Sequence, residues 1–218
     1  MLHSHDLVDY YQARAPEYDA IYAKPERQGD LRQLEHNLPP ALANRKCLEI
    51  ACGTGYWTQF LARSAGSLTG VDVTPATLAI AQRRCQNMRV GFVRGSAFAL
   101  PFRADAFDGA FAGFWISHVG RSALPGFLAH LHGCLRAGAR VVLLDNLYVP
   151  GNSTPIAHRD GEGNTFQDRT LADGSRTRVL KNFPTETELH ALVQGSACAP
   201  EYRALEFYWV FQYEVQAR

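Results

Sequence analysis

A chain of 218 residues with 22 basic and 21 acidic side chains, net charge +1, is long enough for one domain with a sizeable core. That balance, with no block of like charges, argues against a nucleic-acid partner, since such binders usually carry a basic stripe. No apolar run approaches the roughly 20 residues that span a bilayer, the first residues lack an apolar signal core, and five cysteines without a C-x-x-C pair imply reduced thiols and a cytoplasmic protein.

The segment 4–36 predicts two helices ahead of a sheet, and residues 1–40 are expected to form a helical lid. Tyr10, Tyr11, Tyr18 and Tyr22 recur at helical spacing, interrupted by Pro16. Leu31, Leu34 and Leu38 give a second apolar stripe, expected to end before Pro39-Pro40. Strand and helix then alternate, which implies a parallel sheet with helices on both faces. Strands are expected over 46–50, 67–72, 89–94, 107–112 and 140–146, and helices near 56–65, 75–86 and 121–135. Thr74-Pro75 reads as an N-cap followed by proline at the first helical position.

Residues 148–183 are rich in Gly, Asn, Asp, Ser and Thr. Within them Asp173-Gly174 predicts a β-hairpin turn joining 165–171 to 176–181. Phe166, Val179, Leu180 and Phe183 give this insertion apolar anchors, so it is expected to cover a substrate. Thr185-Glu186-Thr187-Glu188 matches a capping box that starts a helix. The aromatic, alternating tail 202–215 suits one or two closing antiparallel strands. One domain over 1–218 with an elaborated rim is the expectation.

The stretch Leu48–Thr58 carries the most information about function. An apolar strand ends in the turn Ala51-Cys52-Gly53-Thr54-Gly55, which opens a helix. Glycine permits positive φ and close approach of a ligand to bare backbone, and the first amides of the helix are unpaired. A dinucleotide turn would be G-x-G-x-x-G, whereas here the third position is Thr58, after bulky Tyr56 and Trp57. Glu49 beside the turn repels a pyrophosphate and attracts a cation. Asp72, at the end of the second strand, is placed to accept both hydroxyls of a ribose. A ligand with a ribose diol, a positive charge and no phosphate fits both acids, and S-adenosylmethionine is such a molecule.

Glu49–Gly55 followed by Asp72 resembles the first two motifs of the class I S-adenosylmethionine-dependent methyltransferases. Three further segments resemble that family in order: 95–102, the adenine loop after the third strand; 107–112, the fourth strand; and 135–141, the turn into the fifth. The resemblance implies a Rossmann-like three-layer α/β sandwich on a mostly parallel seven-stranded sheet with an antiparallel C-terminal strand. It implies cofactor contacts from Glu49, Ala51, Cys52, Gly53, Thr54, Gly55, Trp57, Asp72, Val73, Ser96, Ala97, Phe98 and Phe114. Ser96 stands where many relatives have an acid. The segment from Tyr11 to Asp19 is similar to a helix that folds over the cofactor in small methyltransferases, which implies roles for Tyr11, Arg14 and Tyr18.

The expected activity is methyl transfer from S-adenosylmethionine to oxygen or nitrogen of a small-molecule acceptor, with Trp115, Tyr148 and Phe166 against the substrate. His118, after the fourth strand, is the candidate general base, since a neutral imidazole accepts a proton near pH 7. Asp145-Asn146 resembles the metal-binding pair of catechol-type methyltransferases, but Ala112, Gly113 and Phe114 stand where those enzymes need an acid, so no metal is expected. The loop 113–116 lacks the marks of base-flipping enzymes. Two alternatives remain: a non-catalytic S-adenosylmethionine-binding regulatory module, and a nicotinamide oxidoreductase with a degenerate turn. Neither the acceptor nor the oligomeric state is legible here.

Overall fold

Short runs of almost uninterrupted apolar or small residues make the centre of the sheet, because strands covered on both faces have no polar side to present. In the computed structural model, which describes residues 12, 14–170 and 174–217, these are β1 (Lys46–Ile50), β2 (Ser67–Asp72), β3 (Val90–Arg94), β4 (Phe107–Gly113) and β5 (Leu135–Asn146). A separate antiparallel sheet holds β6 (His158–Arg159), β7 (Thr165–Thr170) and β8 (Arg176–Leu180). The chain then closes the main sheet with β9 (Ala197–Ala204) and β10 (Tyr208–Val215).

The main sheet has seven strands in the order β3-β2-β1-β4-β5-β10-β9. β1 to β5 are parallel, and β10 is antiparallel to both its neighbours. Strand order reverses between β1 and β4, and ligands of open α/β sheets bind outside the carboxyl ends of the strands at such a point.

Alternation along β5 divides two cores. Val141 and Leu143 meet Leu128 and Leu131 of α4 (Leu124–Gly133) and Leu189 of α5 (Glu186–Val193). Val142 and Leu144 meet Leu31, Leu34 and Leu38 of α1 (Gln28–Ala41) and Leu61 of α2 (Thr58–Leu61). α3 (Pro75–Arg84) lies after β2 and sets Ala81 against Gly55. Each fully buried leucine contributes about 1.5–3 kcal/mol of transfer free energy, so both faces of the sheet must be covered. The capping box is complete: the Thr185 hydroxyl accepts the Glu188 amide, and the Glu188 carboxylate accepts the Thr185 amide at 2.8 Å.

Several expectations need correction. The described part of the first predicted helix is 3-10 in form over Ala15–Tyr22, with Pro16 in its first turn; Tyr10 and Tyr11 lie outside the described residues. α1 continues through Pro39 and Pro40 to Ala41 instead of ending before them. Proline's fixed φ is helical, and the last turn is held from outside by the Ser64 hydroxyl, which donates to Pro39 O at 2.7 Å. The helix expected over 56–65 is regular only from Thr58 to Leu61. β5 begins at Leu135, so the expected lead-in turn is an irregularity within the strand, with Gly138 at φ +74°. β7 and β8 pair as the predicted hairpin; Asp173 of its turn lies outside the described residues. The tail is two strands, of which β9 starts five residues earlier than expected.

Candidate active site

Four strand tips converge at the switch point. After β1 the backbone turns through Ala51 (φ +50°), Gly53 (φ +54°) and Gly55 (φ +77°). Alanine in the left-handed region costs of order 1 kcal/mol, so the surrounding bonds must hold the turn. Cys52 N–H donates to Val71 O at 3.0 Å, and Gly53 N–H donates to Asp72 Oδ2 at 2.9 Å. At Gly55 any Cβ would stand 3.0 Å from the Ala81 backbone, so glycine there is required by packing as well as by φ.

Asp72 is nine-tenths buried and accepts from three donors: the Gly53 amide, the Thr74 amide at 2.8 Å and the Thr77 hydroxyl at 3.2 Å. Burial raises its carboxyl above the ordinary range, and these hydrogen bonds oppose the rise. Glu49 is deeper, 2 % exposed, and accepts the Thr58 hydroxyl at 2.6 Å. Burial pushes its pKa up to about 8, against the lowering effect of Thr58 and with a further push from the Asp72 charge. Near neutral pH Glu49 is therefore mainly protonated, and a cation beside it would favour its ionised form.

The loop 95–102, expected on the adenine side, follows β3 at the same sheet edge. The Ser96 hydroxyl already accepts the Phe98 amide at 3.2 Å, and Ala97 is buried. Phe98 is 47 % exposed, a large apolar ring at the rim, edge-on to Trp115 at 5.7 Å between centroids. Val73 is also exposed. Trp57 turns into the core, against Phe111, Phe114 and Tyr22. Tyr56 stacks on Tyr22 and donates its hydroxyl to Glu35 at 2.5 Å, so it too is engaged with the helical side.

The amino-terminal segment lies over the turn. A Cβ on Gly53 would be 3.9 Å from the Tyr18 ring, and the Arg14 guanidinium sits 6.0 Å above that ring. Asp19 accepts the Thr54 hydroxyl at 2.6 Å and forms an ion pair with Arg84 of α3. Arg84 in turn donates to Thr54 O at 3.0 Å. Lid segment, glycine turn and α3 are thereby joined at one place.

Beyond Phe114, which has φ +57° at the end of β4, opens a cavity of about 470 Å³. Tyr18, Phe114, His118, Arg27, Arg169 and Lys181 are among the residues that line it. His118 is buried, and its Nδ1–H donates to Leu180 O at 2.7 Å, which assigns the lone pair to Nε2. Burial first, then the charges of Lys181 and Arg169, push its pKa down to about 3. Lys181 is buried and donates to Asp145 Oδ1 at 2.8 Å and to the Ser117 hydroxyl at 2.6 Å. Asp145 keeps its carboxylate ionised despite burial because Lys181 and the Ser117 amide hold it. Burial lowers the Lys181 ammonium from its ordinary value.

Of the residues expected against substrate, Trp115 packs on Phe98 and Phe127 instead of lining the cavity. Tyr148 meets Phe183, and Phe166 faces His158; neither lines the cavity. The sequence reading missed Arg27, Gln167, Arg169 and Lys181. Lys181 had a legible signal, a lone cation between apolar Val179-Leu180 and Phe183; Arg27 had none.

Residues 47–138 match the family model described as a methyltransferase domain. The structure of the DhpI–SAH complex superposes with a TM-score of 0.80 at 25 % identity, covering 98 % of this chain and 97 % of that one. Residues 47–138 are therefore a methyltransferase domain, and the fold is that of the class I S-adenosylmethionine-dependent methyltransferases. A demethylmenaquinone methyltransferase of Tropheryma whipplei (strain Twist) is 32 % identical over 103 residues, 47 % of this chain and 42 % of that protein. A 2-phytyl-1,4-naphtoquinone methyltransferase of Nostoc sp. is 32 % identical over 113 residues, 49 % of this chain and 48 % of that protein. The chain spans under half the length of these curated relatives. S-adenosylmethionine is the cofactor of methyltransferases of this fold. Among the described residues no helix is long and apolar enough to cross a membrane.

Proposed function

We infer that the protein transfers a methyl group from S-adenosylmethionine to an oxygen or nitrogen of a small-molecule acceptor. The observation that carries this reading is the positive-φ turn Ala51–Gly55, tied to Asp72, next to a 470 Å³ cavity whose wall includes Tyr18, the ring that also lies over Gly53. The cofactor supplies an activated methyl on sulfur. The protein's part is to align acceptor and methyl and to exclude water.

In this reading Asp72 accepts the ribose hydroxyls, with Val73 beside it, and Phe98 and Ala97 flank the base. Cys52, Gly53 and Thr54 offer backbone to the amino-acid end, whose carboxylate Arg14 attracts. Glu49 favours the positive charge. Tyr18 and Phe114 enclose the transferring group, and the insertion 148–183 covers the acceptor. His118 accepts a hydrogen bond at Nε2, but a pKa of about 3 makes it a poor proton store. The mixed polar lining of the cavity supports a small polar acceptor rather than the lipid quinones named for the curated relatives, and the composition supports no nucleic-acid substrate. Five free thiols accord with a cytoplasmic setting.

The test is calorimetry with S-adenosylmethionine, followed by acceptor-dependent release of S-adenosylhomocysteine. Binding that Asp72→Ala abolishes is expected. Tight binding of NAD with none of S-adenosylmethionine would overturn the reading.

A further inference from the structure

The acceptor side of the cavity carries more positive charge than a neutral acceptor would use. Arg27 is buried, at the start of α1. Its guanidinium donates to the amide oxygens of Asn146 at 2.9 Å and Asn152 at 2.5 Å and lies over the rings of Phe207 and Tyr208. Among the described residues no carboxylate forms an ion pair with it. A charge withdrawn from water is unfavourable unless it is paired and hydrogen-bonded, and neutral amides supply only the second condition.

Two more cations meet it. Lys181 is anchored on Asp145, the residue preceding the Asn146 that holds Arg27, so both are brought to the tip of β5. Arg169 of β7 is oriented by Gln167 at 3.1 Å, and the Lys181 ammonium is close enough to feel both guanidinium charges. Among the described residues that line the cavity the carboxylates are Glu17, which is exposed, and Asp168, which Arg178 engages at 2.8 Å. The cofactor's carboxylate does not account for the cluster. It is one anion, and Arg14, over the Tyr18 ring beside the glycine turn, is placed to meet it.

Resting on the methyltransferase reading, we propose that the acceptor is an oxyanion, a phosphoryl or carboxyl group held by Arg27, Arg169 and Lys181, and that the methyl goes to one of its oxygens. An oxygen lone pair forms the new C–O bond as the C–S bond breaks, and the sulfur keeps the electron pair. The products are a methyl ester and S-adenosylhomocysteine. No proton has to leave the nucleophile, which fits a site whose histidine stays neutral. The product carries one negative charge fewer than the acceptor, so the same cations hold it less tightly and favour its release.

The test uses the full chain saturated with S-adenosylhomocysteine and titrated calorimetrically with inorganic phosphate, methylphosphonate, acetate and, as a neutral control, phenol. Saturable binding of at least one oxyanion and none of phenol is expected, with Arg27→Gln and Arg169→Gln each weakening it about tenfold or more and leaving S-adenosylhomocysteine affinity unchanged. Preference for phosphate and methylphosphonate over acetate marks a phosphoryl acceptor, and the reverse a carboxyl one. If the oxyanions fail to bind a protein that still binds S-adenosylhomocysteine, or if Arg169→Gln binds them as well as the parent, the oxyanion assignment is wrong. If S-adenosylhomocysteine itself does not bind, the methyltransferase reading falls and takes this one with it.

Discussion

The Gly53 amide donates to Asp72 Oδ2 at 2.9 Å, so the residue expected to read a ribose also fixes the turn that faces it. Asp72→Ala would orphan the buried Thr74 amide, at about 1–3 kcal/mol when left unpaired, and the part-buried Gly53 amide with it. Calorimetry should show S-adenosylmethionine binding lost, and thermal unfolding should show a lowered midpoint. Asp72→Asn, which keeps an oxygen for one amide, should recover part of the stability but little of the affinity. Full affinity in Asp72→Ala would remove the acid from the site.

Glu49 titrates near 8 in the folded protein, against an ordinary value of 4.5. Between these values the folded state holds a proton that the unfolded chain releases, so stability declines as pH rises through that window. The contribution is complete below the lower value and lost above the upper one, on the order of 5 kcal/mol at most. Glu49→Gln keeps an acceptor for the Thr58 hydroxyl and removes the titration. Melting temperatures followed from about pH 5 to about pH 8 should fall less in the variant than in the parent. Equal slopes would place the alkaline loss elsewhere.

The Asp19–Arg84 pair, partly exposed, contributes little to stability by itself, about 0–1 kcal/mol. Its effect is on geometry, because both partners also bind Thr54 of the glycine turn. Arg84→Gln should therefore leave the melting temperature almost unchanged while accelerating release of S-adenosylhomocysteine several-fold, measurable by stopped-flow tryptophan fluorescence. A release rate equal to the parent's would mean that the amino-terminal segment is held by its aromatic packing alone.

Most of the fold was legible because it rests on local signals. Apolar runs such as Val141–Leu144 can only be doubly covered strands, and the Ala51–Gly55 turn states its own backbone demands. The residues expected to meet the cofactor near that turn share this local signal. The acceptor wall is different. Arg27, Asn146, Arg169 and Lys181 are far apart in sequence and meet through long-range pairings, Arg27 with Asn146 at 2.9 Å, Lys181 with Asp145 at 2.8 Å, and Asn182 of the insertion with Ser117 O at 2.7 Å and Val119 O at 3.0 Å. Pairings of that kind have no periodicity. Aromatic residues in the insertion looked like substrate contacts, yet the strand turned Phe166 toward His158 and left Gln167 and Arg169 at the cavity.

His118 separates two chemistries by its pH behaviour. An ordinary histidine base would lose function as pH falls through about 6.5. Here burial and the neighbouring cations hold the ring neutral down to about 3, and its Nδ1–H is committed to Leu180 O. The turnover rate, kcat, should therefore show no inflection between about pH 5 and about pH 8 that His118→Gln removes. His118→Gln should also lower kcat only modestly, by less than the 10²–10⁴-fold typical of losing a general base. What it should change is KM for the acceptor, because Gln replaces a group packed between Lys181 and the loop after β4. A kcat profile that rises with a pKa near 6.5 in the parent and is flat in the variant would restore His118 as the base, and with it an acceptor that arrives carrying a proton.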